Sequence, residues 1–209
     1  MSRRYDHATA YAEPRLMRGS AMRPPRIVRL ALLPALLSLP CAAQAAELAG
    51  VKVPDTIEIG GQSLPLNGIA LGKKFIFKIY VVALYLPAPT KAEAAVVEPD
   101  VPKGFVMQFL RSVGKEKLVK AFKDGFEKNA GQRVEKAQVQ IDRFLTLVKD
   151  VKKGDRVTFM YEPGKGSTVT LADETQSFEG KDFADAFLLL YVGPKPPRED
   201  LKKGLLGHP

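Results

Sequence analysis

The stretch Leu66 to Leu86 reads LNGIALGKKFIFKIYVVALYL. After residue 45 it is the longest apolar-rich run in the chain. From Phe75 the side chains follow a period of two, as they do on a strand. Phe75, Phe77, Ile79, Val81, Ala83 and Tyr85 share one face; Lys74, Ile76, Lys78, Tyr80, Val82 and Leu84 share the other. The β-branched and aromatic content favours a strand over a helix. The first face is wholly apolar and needs a cover. The second mixes lysines, a tyrosine and aliphatics, which suits the wall of a partly wet cleft. The run is therefore expected to be one long central strand. On that reading Phe77→Ala leaves a core cavity that costs about 3–5 kcal/mol.

Outward from this strand, Val51–Ile59 is predicted as a first strand, with a turn at Gly60-Gly61. Lys91–Val97 is predicted as a short helix, and Gly104–Val113 as a strand. Two longer helices follow. In Lys115–Asn129, Leu118, Val119, Phe122 and Phe126 share a face. In Arg133–Val151, Val134, Ala137, Ile141, Phe144, Leu145 and Val148 form a second apolar stripe. Gly154–Tyr161 and Ser167–Ala172 alternate and are joined by a Gly-rich turn, so they are predicted as a hairpin. The GKGST within that turn lacks the earlier glycine of a phosphate-cradling loop and sits between strands. Ser177–Glu179 is a short strand or turn, Asp182–Val192 an apolar helix, and Leu201–Leu206 a last short helix. Segregated strands and helices predict an α+β fold, with helices on one face of an antiparallel sheet.

The 209 residues, 45% of them apolar, suffice for one domain with a real core. The net charge of +9 needs dividing. Residues 1–45 hold seven arginines against Asp6 and Glu13; setting these aside leaves 25 basic and 21 acidic residues, a net of +4. A nucleic-acid partner therefore has no support in the charge. The early residues read instead as a leader. From Met22, Arg23, Arg26 and Arg29 precede the ten-residue apolar run Leu30–Leu39 and the A-x-A site Ala43-Gln44-Ala45. Signal cleavage is expected after Ala45, leaving a single domain over 46–209 outside the cytoplasm, periplasmic or secreted. Met1, Met17 and Met22 are the candidate starts. No other stretch is long and apolar enough to span a membrane as a helix.

Cys41, the only cysteine, lies in the leader, and the histidines are His7 and His208. The mature chain is thus expected to have no disulfide, no metal site and neither Cys-His nor Ser-His-Asp chemistry.

Four segments, in order, resemble a known family: Leu66-Asn67-Gly68; Phe75–Leu86; FLRSVGKEKLVKAFKDGFEKN at 109–129; and GKDFADAFLLLYVGPKPPREDLKKGLLG at 180–207. Together they are similar to the bacterial secreted branch of the chalcone isomerase-like family, over about residues 47–207. The resemblance implies the open-faced β-sandwich of chalcone isomerase, a curved antiparallel sheet with a helical layer and a ligand cleft between them. It also implies a cofactor-free cleft. In the plant enzymes an arginine stabilises a phenolate and the developing enolate, while Thr, Tyr and Asn order the cleft. Here the arginine position matches Gly72 and the threonine position Tyr80; the tyrosine and asparagine fall near Leu118 and Gly125. Glycine cannot supply a cation, and the neighbouring Lys73 is a point charge on a flexible stem.

Three readings follow. The first is a non-catalytic binder of a small apolar ligand, acyl or aromatic, with Lys78 and Tyr80 lining the cleft and Lys73 at its mouth. The second is an isomerase or intramolecular lyase using Lys73 as cation and Tyr80 as donor or base. The third is a periplasmic interaction protein with no small ligand. The oligomeric state stays open.

Overall fold

A computed structural model describes residues 45–129 and 131–208. Residues 1–44, the leader up to its last residue and with it His7 and Cys41, lie outside the described residues. The chain opens with β1 (Ala45–Leu48) and β2 (Val51–Pro54), which pair as a two-stranded antiparallel sheet. The expected single strand Val51–Ile59 is two strands. Pro54 has no N–H to continue a ladder, and after Asp55 the chain restarts as β3 (Thr56–Ile59), which pairs with a different strand.

The main departure lies in the Leu66–Leu86 run. It is a hairpin of β4 (Gln62–Lys74) and β5 (Phe77–Tyr85), turning through Phe75 and Ile76. Phe75 takes φ 55°, the left-handed conformation that a two-residue hairpin turn demands of its first residue. Phe75 and Ile76 therefore stand at the tip, 83% and 86% exposed, and Phe77 is 49% exposed. The expectation that Phe77 is a core residue is corrected by this turn.

Seven strands then form an antiparallel meander in the order β3 to β9, completed by β6 (Lys103–Phe109), β7 (Arg156–Glu162), β8 (Gly166–Leu171) and β9 (Glu174–Phe178). Period-two alternation holds from Tyr80 to Tyr85; the register shift between Gly72 and Lys73 leaves Ile79 without a β4 partner, and Ile79, expected on the face of Val81, packs with Tyr80 against the larger core. Val81, Ala83 and Tyr85 pack toward Val51, Val53, Ile59 and Leu64 on one side. Val82 and Leu84 pack into the larger core on the other side. Thus β1 and β2 cover one face of the hairpin strands, and helices cover the opposite face.

The helical layer consists of α1 (Glu93–Val97), α2 (Lys115–Lys128), α3 (Gln132–Lys136), α4 (Gln138–Leu147), α5 (Asp182–Val192) and α6 (Glu199–Leu205). The expected helix over 133–151 breaks at fully buried Ala137, and at Val148 the backbone turns extended. Val151 then exchanges two hydrogen bonds with Val113, at 2.9 and 3.0 Å. Helix α5 is apolar on nearly every side and fills the core centre. Phe187 stacks on Phe159 at 4.5 Å between centroids and meets Phe105, Phe144 and Tyr191.

Asn67 ties the C-terminal helix to the sheet. Its amide donates to Leu205 O at 2.7 Å, and its carbonyl accepts from Thr90 N–H at 2.6 Å. A Cβ on Gly68 would collide with the carbonyls of Gly204 and Leu205, so glycine is required for α6 to lie on β4. The Asn67-Gly68 pair is thus a docking device.

One charged cluster sits inside the core. The Lys103 ammonium, fully buried, donates to Val97 O at 2.9 Å and lies 3.9 Å from the Asp185 carboxylate. Asp185 also receives Lys181 at 2.6 and 2.7 Å and Arg133 at 3.4 Å. Burial, with the neighbouring Lys181 charge, pushes Lys103 down to about 8, and Asp185 opposes that shift.

Two expectations follow. Phe187→Ala should cost about 3–5 kcal/mol through the cavity left, whereas Phe77→Ala should cost under about 1 kcal/mol, as surface changes do. Urea unfolding of the two variants separates them; equal losses contradict the hairpin. Lys103 should also give stability a pH slope. Its folded value lies below the unfolded one, so between them the unfolded chain binds more protons and stability rises with pH. Unfolding midpoints should increase from pH 7.5 to 9, before tyrosines titrate, and the increase should vanish in Lys103→Met.

Candidate functional site

Where β4 and β5 run beyond their neighbours, the sheet and the helices part. The last partner of β5 on β6 is Phe109, opposite Tyr80. Beyond it a cavity of about 560 Å³ opens between the hairpin, the end of β6, α2 and α5. Its size falls within the range of small-molecule pockets, roughly 300–1,000 Å³. The inner wall is apolar: Ile79, Met107 and Phe109 from the sheet, Leu118, Ala121 and Phe122 from α2, and Leu190 from α5. At its back α2 meets α5 at Gly125, where a Cβ would sit 2.8 Å from Leu190 Cδ2 and push that methyl aside.

Two tyrosines belong to this wall. Tyr80 packs edge-to-face on Phe109, with ring centroids 6.2 Å apart. Tyr191 comes from α5, and desolvation joined by the nearby Tyr80 raises its pKa well above the ordinary value. Burial alone raises Tyr80 in the same direction. Both phenols therefore keep their protons across the neutral range and act as hydrogen-bond donors rather than bases.

Lys73, Lys74, Arg111 and Lys117 stand on the lining, and no carboxylate does. None of the four forms an ion pair among the described residues. The Arg111 guanidinium lies over the Phe77 ring at 4.6 Å, which holds it at the rim. Asp200 feels the Lys73 charge but is engaged by Arg198 at 2.8 and 2.9 Å.

Of the residues singled out from the sequence, Lys73 and Tyr80 line the cavity and Lys78 does not. Lys78 is exposed, paired across the hairpin with Lys73, and lies past the last β5–β6 pairing. Leu118 and Gly125 are also on the wall. Gly72 lies opposite Tyr80 in the β4–β5 register, and a Cβ at position 72 would collide with Cε2 and Cζ of the Tyr80 ring. Tyr80 thus fills the space that a side chain at 72 would need, so the two positions are coupled. Arg111, Lys117 and Tyr191 were not singled out in the sequence. Arg111 carried a local signal as a cation ending an apolar strand, but Tyr191 lay hidden in an apolar helix. Among the described residues no three His, Cys, Asp or Glu side chains form a metal-binding group, and no helix is long and apolar enough to cross a membrane.

A family model described as chalcone isomerase-like matches residues 45–207. Among solved structures, the chain is similar to the crystal structure of a fatty-acid binding protein of Arabidopsis thaliana. The two share 15% identity with a TM-score of 0.58, over 78% of this chain and 96% of that one. At that identity the likeness is one of fold. No curated protein matches.

The Gly72–Tyr80 coupling has a direct test. Gly72→Ala should drive the Tyr80 ring into the cavity and weaken binding of a fluorescent apolar anion such as anilinonaphthalene sulfonate severalfold. Gly72→Ala/Tyr80→Ser should restore it. A titration in which Gly72→Ala binds like wild type contradicts the packing.

Proposed function

This chain belongs to the chalcone isomerase-like family, and from that premise we propose that it is a non-catalytic binding protein whose cavity takes an elongated apolar ligand with an acidic head. A fatty acid fits this description best; an aromatic carboxylate is the near variant. One observation carries the reading: the cavity has an apolar interior and a rim of cations with no carboxylate on its wall. The acyl chain would lie against Met107, Phe109, Leu118 and Phe122, where each buried methylene contributes about 0.8 kcal/mol. The carboxylate would meet Arg111, Lys73 and Lys117 at the rim, with the two phenol donors within the wall. The fatty-acid binding protein of similar fold supports the ligand class.

The isomerase reading has less support. An intramolecular lyase of the chalcone type needs a fixed cation where negative charge develops. Gly72 provides none, and the Tyr80 ring occupies the space beside it. Tyr80, with its raised pKa, is a poor base at neutral pH.

The proposal extends to the secreted bacterial branch of the family and to export, with the leader removed after Ala45. The family match beginning at residue 45 supports this division. N-terminal sequencing of exported protein should read from Ala46; a mature chain retaining Cys41 overturns it.

Displacement of a fluorescent fatty acid tests the central claim. Affinity should rise about fourfold per added methylene, the equivalent of about 0.8 kcal/mol, until the cavity is full. Arg111→Gln should weaken binding about tenfold, at the low end for a charge-assisted hydrogen bond because the rim is wet. Cyclisation of 2′-hydroxychalcone should be at least about a thousandfold below a plant-type enzyme. Flat chain-length dependence, or turnover in the plant range, rejects the proposal.

A further inference from the structure

The geometry points to the tip of the β4–β5 hairpin as a docking surface for an anionic lipid bilayer. Phe75 and Ile76 project from the turn, 83% and 86% exposed, side by side. Elsewhere among the described residues the exposed large apolar side chains are Phe77, on the same hairpin, and the isolated Val139. The turn that presents them is strained. Phe75 has φ 55° at a position where glycine is the favoured residue, and strain held without a packing reason marks a functional segment. Phe75 keeps this conformation although its side chain is mostly in solvent.

The charges beside the tip have one sign. Lys73 and Lys78 are direct cross-strand partners, and Lys74 pairs with Phe77. Like charges directly opposite on a hairpin repel, an arrangement that a layer of anionic head groups relieves. Aromatic and aliphatic side chains flanked by lysines are the chemistry of an interfacial anchor: the apolar groups enter the acyl boundary while the ammonium groups stay at head-group level. A second copy of this chain is the poorer occupant. Two side chains bury far less than the roughly 1,000 Å² that a stable protein interface needs, and two tips would bring six lysines together.

The tip and the cavity are continuous, since Lys73, Lys74, Phe75 and Phe77 belong to both. Docking would therefore bring the cavity mouth to the bilayer surface. The docking itself does not depend on which ligand the cavity takes.

Co-sedimentation of the full chain with sucrose-loaded vesicles is the test. With 3:1 phosphatidylcholine–phosphatidylglycerol at low salt, the protein should pellet. With phosphatidylcholine alone, or in 0.5 M NaCl, most should stay in the supernatant, because exposed charges are screened. Ile76→Asp and Lys78→Glu lie outside the cavity lining. Each should reduce vesicle partitioning at least severalfold, and together at least tenfold; Ile76→Asp should leave melting and fatty-acid displacement unchanged, whereas Lys78→Glu, directly opposite Lys73, should raise the melting temperature slightly by replacing a repulsion with an ion pair. Failure of the wild-type chain to pellet with anionic vesicles overturns the inference, as does undiminished partitioning of the double variant. So does a concentration-dependent dimer in light scattering that Ile76→Asp abolishes, which would make the tip a self-association surface. Vesicle binding that persists when fatty-acid displacement fails would support the docking and reject only the cavity reading.

Discussion

The fold rests on a hairpin that is buried on both faces along part of its length and on neither at its end. Residues Val81–Tyr85 of β5 are essentially inaccessible on either side. Such a strand needs two covers, because unburied apolar area forfeits about 25 cal/mol per Å². The helices supply one cover and the β1–β2 pair supplies the other. Yet β4 has 13 residues, β5 nine and β6 only seven. The hairpin therefore outruns its covers. Its distal part runs past the last β5–β6 pairing, at Tyr80 and Phe109, and ends in a turn whose side chains are mostly in solvent. The cavity and the exposed tip are successive stages of one overhang.

That overhang explains what could be read from the sequence. The period of two is real over Tyr80–Tyr85 and breaks at the Ile79 bulge, and the α+β class with helices on one sheet face follows from segregated elements. The turn was missed because Lys-Phe-Ile-Phe carries no glycine, asparagine or proline, the residues that announce reversals. A phenylalanine took the left-handed position instead. An apolar run crossing a turn without punctuation looks like one strand, and the mistaken role of Phe77 followed. The breaks at Pro54 and Ala137 are of two kinds. Proline gives a local signal; Ala137, a good helix former, gives none, and it leaves the helix at a fully buried position. The site was half legible for a related reason. Lys73 and Tyr80 stand on the hairpin itself, whereas Arg111, Lys117 and Tyr191 reach it only through long-range contacts.

Gly72 and Tyr80 share one space across the hairpin. With glycine at 72, the facing strand residue can be a full aromatic, and Tyr80 takes the room. An arginine at 72 and a tyrosine at 80 could not share it. The space beside Gly72 thus holds a neutral phenol, and the positive charges of the lining stand on the exposed Lys73, Lys74, Arg111 and Lys117.

Where the charge sits decides what it can do. A cation preorganised in a dry interior stabilises charge that develops during a reaction, because the low dielectric strengthens it. The same cation at a wet mouth is screened. It can attract and orient an anionic head group, but it contributes little to an anion formed several ångströms inside. The core's own dry cation, Lys103, is held by Asp185 and the Val97 carbonyl, and it does not line the cavity. An apolar interior, proton-retaining tyrosines and solvated cations at the entrance together favour holding a charged-headed apolar molecule over transforming it.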